Sequence, residues 1–154
     1  MDQLPDDKNS EARPETSEAD SPIALDEYLH FMDGDLRPAF VGSSRTLLIN
    51  VDGILVPTRV ARTIGLIVHD IIFDGLRKAF GEQPGIVQIA CGADRDGAIT
   101  LEITDDGIGT TTHLAPALRN LVAEHVSQLG ARMTVENSHS VLRCSIVIPA
   151  HDSV

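Results

Sequence analysis

Residues 66–80 read LIVHDIIFDGLRKAF. They close a longer candidate helix, Thr58 to Phe80, in which Val60, Ile64, Ile67, Val68, Ile71, Ile72, Leu76 and Ala79 fall on one broad apolar stripe. A helix presses such a stripe onto a sheet. His69, Asp70, Asp74, Arg77 and Lys78 interrupt it with polar groups. His69, Asp70 and Asp74 are adjacent or one turn apart, and Asp74 and Arg77 have the i, i+3 spacing of an ion pair. A solvated helix edge with a weak surface pair of about 0.3–0.5 kcal/mol has the same pattern, so the neighbouring segments must decide its meaning. Gly81 and Pro84 stop the helix.

Upstream, IALDEYLHFM at 23–32 places Ile23, Leu25, Tyr28, Leu29 and Met32 near helical spacing, and Asp33-Gly34 and Pro38 disturb its end. RTLLINVDGILVP at 45–57 reads as a hairpin, with Leu47, Ile49 and Val51 alternating, Asp52-Gly53 turning, and Ile54 to Val56 returning. Downstream, Val87, Ile89 and Cys91 alternate inward, as do Ile99, Leu101 and Ile103 after a turn at Asp96-Gly97. The second of these strands runs into LEITDDGIGT (101–110), where two carboxylates precede a Gly-x-Gly turn. A helix from about Pro116 to Leu129 follows, with Leu118, Leu121, Val122, Val126 and Leu129 on its apolar face and Gly130 at its end. Met133 and Val135, then Leu142, Cys144, Ile146 and Ile148, make the last two strands. Single helices between paired strands predict a two-layer α/β sandwich, a mixed, mainly antiparallel sheet with helices packed on one face.

The chain has 154 residues and 42% apolar content, enough for one buried core. Its formal net charge of −11 argues against nucleic acid and anionic membrane surfaces as partners. Seven acids against Lys8 and Arg13 crowd residues 1–22, a Pro-, Ser- and Glu-rich segment expected to be a disordered tail before a domain over 23–150. No basic and apolar leader is apparent, and no apolar run approaches the ~20 residues of a membrane span. Cys91 and Cys144 sit at inward strand positions and read as core thiols, which suits a cytoplasmic protein.

Taken together, these segments resemble the ATP-binding domain of the GHKL (Bergerat-fold) superfamily, and within it the HWE-related bacterial histidine kinases. IGLIVHDIIFDGLRKAF at 64–80 is similar to their L-G-L-I-V segment followed by N-E-L-V-T-N-A-L-K-H-A-F. Asp105, Gly107 and Gly109 match D-x-G-x-G, and QLGARMTVEN at 128–137 resembles E-Q-L-G-G-R-L-E-V-E-S. LDEYLHFM at 25–32 resembles the helix that connects to the domain in those kinases. The resemblance implies that Asp105 accepts the adenine amino group and that Gly107 and Gly109 let the backbone pass close to the base. It places His69 at the first polar position of the helix box, Asp74 where an asparagine coordinates Mg²⁺, and Arg77 where a lysine faces phosphate. Asp70 and Lys78 join the same nucleotide-binding stripe.

The chain departs from that pattern in several places. A carboxylate can ligate Mg²⁺, but Asp74 adds negative charge beside a triphosphate. Pro116 and Leu118 stand where the second glycine box offers backbone N–H groups to phosphate. The lid is reduced to TTTHLA (110–115), and Val141-Leu142 replaces a Gly-Thr. No phosphoacceptor helices precede residue 23, and His30, His113, His125, His139 and His151 read as surface or packing residues. The adenine side is therefore expected to be kept and the phosphate side dismantled. The resulting expectation is a degenerate ATPase-like domain with no catalytic residues of its own, acting as a regulator or adaptor. Its partners would be signalling proteins such as response regulators, kinases or sigma-pathway proteins, with homodimerisation open. The alternative is an ATP-binding kinase component, of histidine-kinase or anti-sigma serine-kinase type. A third reading is binding of ATP or ADP with Mg²⁺ without turnover.

Overall fold

The computed structural model describes residues 20–80, 83–107, 114–138 and 141–150. Residues 1–19 of the expected tail, Gly81, Gly109, His113, His139 and His151 lie outside them, as does most of the short lid.

The architecture is an α/β sandwich. Its main sheet holds β2 (Arg45–Val51), β4 (Gly85–Ala93), β5 (Ile99–Asp105), β7 (Val141–Ile148) and β6 (Arg132–Ser138), in the order β2-β4-β5-β7-β6. β2 and β4 are parallel and every other pair is antiparallel, so the sheet is mixed and mainly antiparallel. Alternation sets the inner face: Val87, Ile89, Leu101, Ile103, Leu142, Cys144, Ile146 and Ile148 are all buried. Two helical segments cover that face. The first is α3 (Thr58–Asp70) with its continuation to Ala79, and the second is α4 (Leu114–Gln128), whose Leu118, Val122 and Val126 are buried. Gly130, with φ at 64°, ends α4 in the left-handed conformation that glycine adopts without strain.

The expected hairpin over 45–57 does not form. β3 (Leu55–Pro57) turns away from β2 and pairs antiparallel with β1 (Pro22–Ala24), Ile23 opposite Val56. β2 instead pairs with β4 across the α3 crossover, a connection long enough to bring two strands parallel. Ile23 is therefore a strand residue, and the first helix is shorter than its periodicity suggests: α1 spans Leu25–Phe31, followed by α2 (Asp33–Leu36) and a 3₁₀ turn to Phe40. Leu25 and Leu29 are buried, while Tyr28 and Met32 lie over Gly65 of α3.

The helical stretch from Thr58 to Ala79 is not of one type. After Asp70 it widens into a π turn, Ile71–Gly75, and then tightens into a 3₁₀ turn, Leu76–Ala79. The extra residue of a π turn shifts every later side chain around the axis. Ile71, Ile72, Gly75 and Leu76 are all buried.

Candidate functional site

Arg45 opens β2 and Asp105 closes β5, on the two strands that flank β4. Both side chains turn to the inner face and are fully excluded from solvent. The Arg45 Nε–H donates to both Asp105 oxygens, at 3.0 Å to Oδ1 and 3.2 Å to Oδ2. Nη1 donates to the Gln83 carbonyl, and the guanidinium carbon lies 5.0 Å from the centre of the Phe80 ring. Phe80 in turn packs on Phe40, with ring centres 5.4 Å apart. The arginine is thus held by a carboxylate at one edge, a carbonyl at another and an aromatic face, the geometry of a cation–π contact. No acceptor among the described residues meets Nη2.

Asp105 also accepts the Gly107 N–H at 2.9 Å. Burial pushes its carboxyl above the usual aspartate value, opposed by the Gly107 N–H and by Arg45. A β-carbon at Gly107 would lie 2.8 Å from Arg45 Cζ and 2.9 Å from the Pro84 carbonyl oxygen. The bare glycine is what admits the guanidinium. The second acid, Asp106, faces outward and accepts the Ile86 N–H at 2.7 Å, fastening the end of β5 to the start of β4.

The polar helix residues divide into two groups. His69 stacks on Phe73 with ring centres 4.6 Å apart, and its Nδ1 is 3.6 Å from Asp70 Oδ1. Asp70 also faces His125 of α4, whose Nε2 is 3.8 Å from Oδ2. Arg77 lies over the Phe73 ring at 5.7 Å. The expected Asp74–Arg77 pair is absent among the described residues. Asp74 instead joins Lys78 on the wall of a cleft of about 660 Å³, closed on the other side by Leu114, Ala117, Leu118, Asn120 and Leu121. Leu121, expected to be a core residue, is exposed there.

Among the described residues, the expected base-binding position at Asp105 is already occupied by the protein's own arginine. The carboxylate expected to take the base is engaged on both oxygens and fully buried, and the 660 Å³ cleft reaches neither Arg45 nor Asp105. Among the described residues, Asp74 is the sole carboxylate lining that cleft and no group of three metal-ligating side chains occurs. Leu118 is fully buried against Gly75, which puts a branched side chain where phosphate was expected to meet backbone.

Sequence reasoning placed Asp105 and Gly107 together but passed over their partner. The signal was present: Arg45 stands in phase with Leu47, the first inward position of β2. His125 was set aside as a scattered histidine, yet it meets Asp70 across the two helices.

No family model matches this chain, and no curated protein matches it either. Solved structures do. The histidine kinase domain of the blue-light activated histidine kinase EL346 of Erythrobacter litoralis superposes with a TM-score of 0.72 at 24% identity, over 82% of this chain and 61% of that one. The Acinetobacter baumannii histidine kinase AdeS gives 0.69 at 13% identity, over 86% and 68%. The mycobacterial sensor histidine kinase MprB gives 0.62 at 19%, over 84% and 97%. The chain spans about three-fifths of the first of these structures. Likeness at this level carries the fold alone, the fold shared with these histidine kinase domains. No helix among the described residues is long and apolar enough to cross a membrane.

Proposed function

We propose that this chain is a degenerate histidine-kinase ATPase-like domain that acts in bacterial signal transduction as a protein-binding regulator or adaptor, with weak or no ATP binding. The observation that carries the reading is the buried contact between Arg45 and Asp105. A base that needs Asp105 as its acceptor must first displace an arginine whose removal strands a charge, at a cost of about 3–5 kcal/mol. Leu118 packed on Gly75 supports the reading from the phosphate side. A domain that keeps its scaffold while both ends of the nucleotide site are filled retains its surfaces as means of action. The partners this reading points to are response regulators, kinases and sigma-pathway proteins in the cytoplasm, met by the domain over 23–150.

The 660 Å³ cleft beside Asp74 and Lys78 favours a second reading, an ATP-binding kinase component that acts on a partner. Calorimetric titration of the full chain with ATP and ADP, each with Mg²⁺, separates the two. The regulator reading expects no saturable heat at millimolar nucleotide. Micromolar, Mg²⁺-dependent binding would overturn it.

A further inference from the structure

The exposed face of α3 carries a stripe that the hydrophobic core does not use. Arg59, Arg62, Leu66 and His69 recur every three or four residues, so they stand above one another on one side of the helix. Phe73 and Arg77 prolong the line: His69 stacks on Phe73, and Arg77 lies over the same ring. Arg59, Arg62 and Arg77 are exposed, and Leu66 leaves half of its surface in solvent. Asp70, the acid beside this line, faces His69 and His125. Other exposed apolar side chains have acids for neighbours. Phe31 precedes Asp33 and Asp35, Leu121 lies on the cleft with Asp74, and Val147 shares the outer sheet face with Glu102 and Glu136. On α3 the exposed leucine is set among arginines, a surface that suits an acidic segment.

The chain's own acidic segment is already bonded to the first member of this stripe. Asp20 Oδ1 accepts the Arg59 Nε–H at 3.1 Å. Directly after it, the Ser21 carbonyl accepts the Thr58 N–H and the Thr58 hydroxyl, both at 2.8 Å, which fixes the chain at the start of α3. Residues 1–19 therefore join the fold at the Arg59 end of the stripe, and they carry Asp2, Asp6, Asp7, Glu11, Glu15 and Glu18 against Lys8 and Arg13. Arg59 to Arg77 is about 27 Å along a helix axis. Nine residues drawn out span about 30 Å, so the stretch 11–19 reaches the whole stripe. A single exposed ion pair is weak, but a tethered segment meets its site at a high effective concentration, and several weak pairs then act together. We infer that residues 1–19 dock in cis along α3 as an acidic strap, their carboxylates on Arg59, Arg62 and Arg77, and keep Leu66 covered. The docking stands on these contacts and charges alone, whether or not the regulator reading holds.

A nitroxide attached to Ser10→Cys in the full-length chain tests this, because it broadens the amide signals of the surface that the segment touches. Cys91 and Cys144 are buried and stay unlabelled. At low salt we expect the amide signals of Arg62, Leu66 and Phe73 to be lost, and those of Leu48 and Val147 on the outer sheet face to be kept. The lost signals should return at about 1 M salt, where the screening length falls to about 3 Å. They should also return when Glu11→Gln, Glu15→Gln and Glu18→Gln are combined, and in Arg62→Glu, whose side chain is exposed. Full α3 signals beside the nitroxide overturn the inference, as does a loss spread evenly over the surface. A loss that persists in the glutamine variant overturns it too. Loss in an isotope-labelled chain mixed with separate nitroxide-bearing chains shows that a second copy fills the stripe, and overturns docking in cis. Nucleotide is absent throughout, so ATP binding bears on the regulator reading and leaves this result untouched.

Discussion

Leu118 of α4 rests on the bare backbone of Gly75 so closely that a β-carbon added to Gly75 would come within 2.2 Å of Leu118 Cδ2. That contact joins the π turn of the first covering helix to the start of the second. It closes one end of the cleft that Asp74 and Lys78 line.

Gly75→Ala therefore sets two effects against each other. Alanine gains up to about 1 kcal/mol of helix propensity over glycine. Overpacking a fully buried leucine costs about 1–3 kcal/mol. Packing wins, and the variant should lose about 1–2 kcal/mol in urea unfolding at unchanged m-value. A more stable variant would mean that Leu118 swings freely into the cleft.

Asp105→Asn should be among the most damaging substitutions in the protein, at about 3–5 kcal/mol, because it leaves the buried Arg45 charge without its partner. Arg45→Met combined with Asp105→Leu removes both charges and should come within about 1–2 kcal/mol of the wild type, or exceed it. Denaturant titration of the two variants checks the contrast. Asp105→Asn is consequently no clean control for nucleotide binding, since it disturbs the fold as well as the acceptor.

Gly107→Ala tests why that position of D-x-G-x-G is bare. The new methyl would meet Arg45 Cζ at 2.8 Å and the Pro84 carbonyl oxygen at 2.9 Å. The carbonyl belongs to the backbone and yields little, so a loss of about 1–3 kcal/mol is expected. Combining it with Arg45→Ala should give a smaller loss than the sum of the two, as residues in contact do in a double-mutant cycle. Strict additivity would disprove the contact.

The two thiols give a pH test. Burial raises Cys144 from 9.0 to about 12, and burial with the nearby Asp52 charge raises Cys91 to about 12. Their folded values exceed the unfolded one, so their contribution to stability is complete below pH 9 and is lost as pH climbs toward 12. Native protein at pH 8 should react with a thiol reagent only as fast as it opens, and addition of denaturant should release both cysteines at once. Rapid labelling of the native chain would contradict their burial.

Much of the sandwich was legible because it rests on periodicity. The inward alternation of β4, β5 and β7 and the stripe from Val60 to Leu76 are local patterns, and burial followed them residue by residue. Strand partners were not legible in the same way. Asp52-Gly53 has the look of a hairpin turn, but β3 finds β1 some thirty residues upstream, and no local signal specifies that choice. The π turn was equally hidden, since Ile71 and Ile72 continue the adjacent buried pairs of the regular helix before them and nothing in the local pattern marks the change.

The candidate site divides along the same line. The identity of Asp105 and Gly107 as a strand-end acid and a bare turn was settled by the sequence alone, because a carboxylate and a missing Cβ are properties of single residues. Whether that acid is free to receive a ligand was decided only by the tertiary structure. Arg45 lies 60 positions away in the chain, and the parallel pairing of β2 with β4 brings it to Asp105. A buried carboxylate accepts whichever donor the fold delivers to it, and here the fold delivers the protein's own arginine.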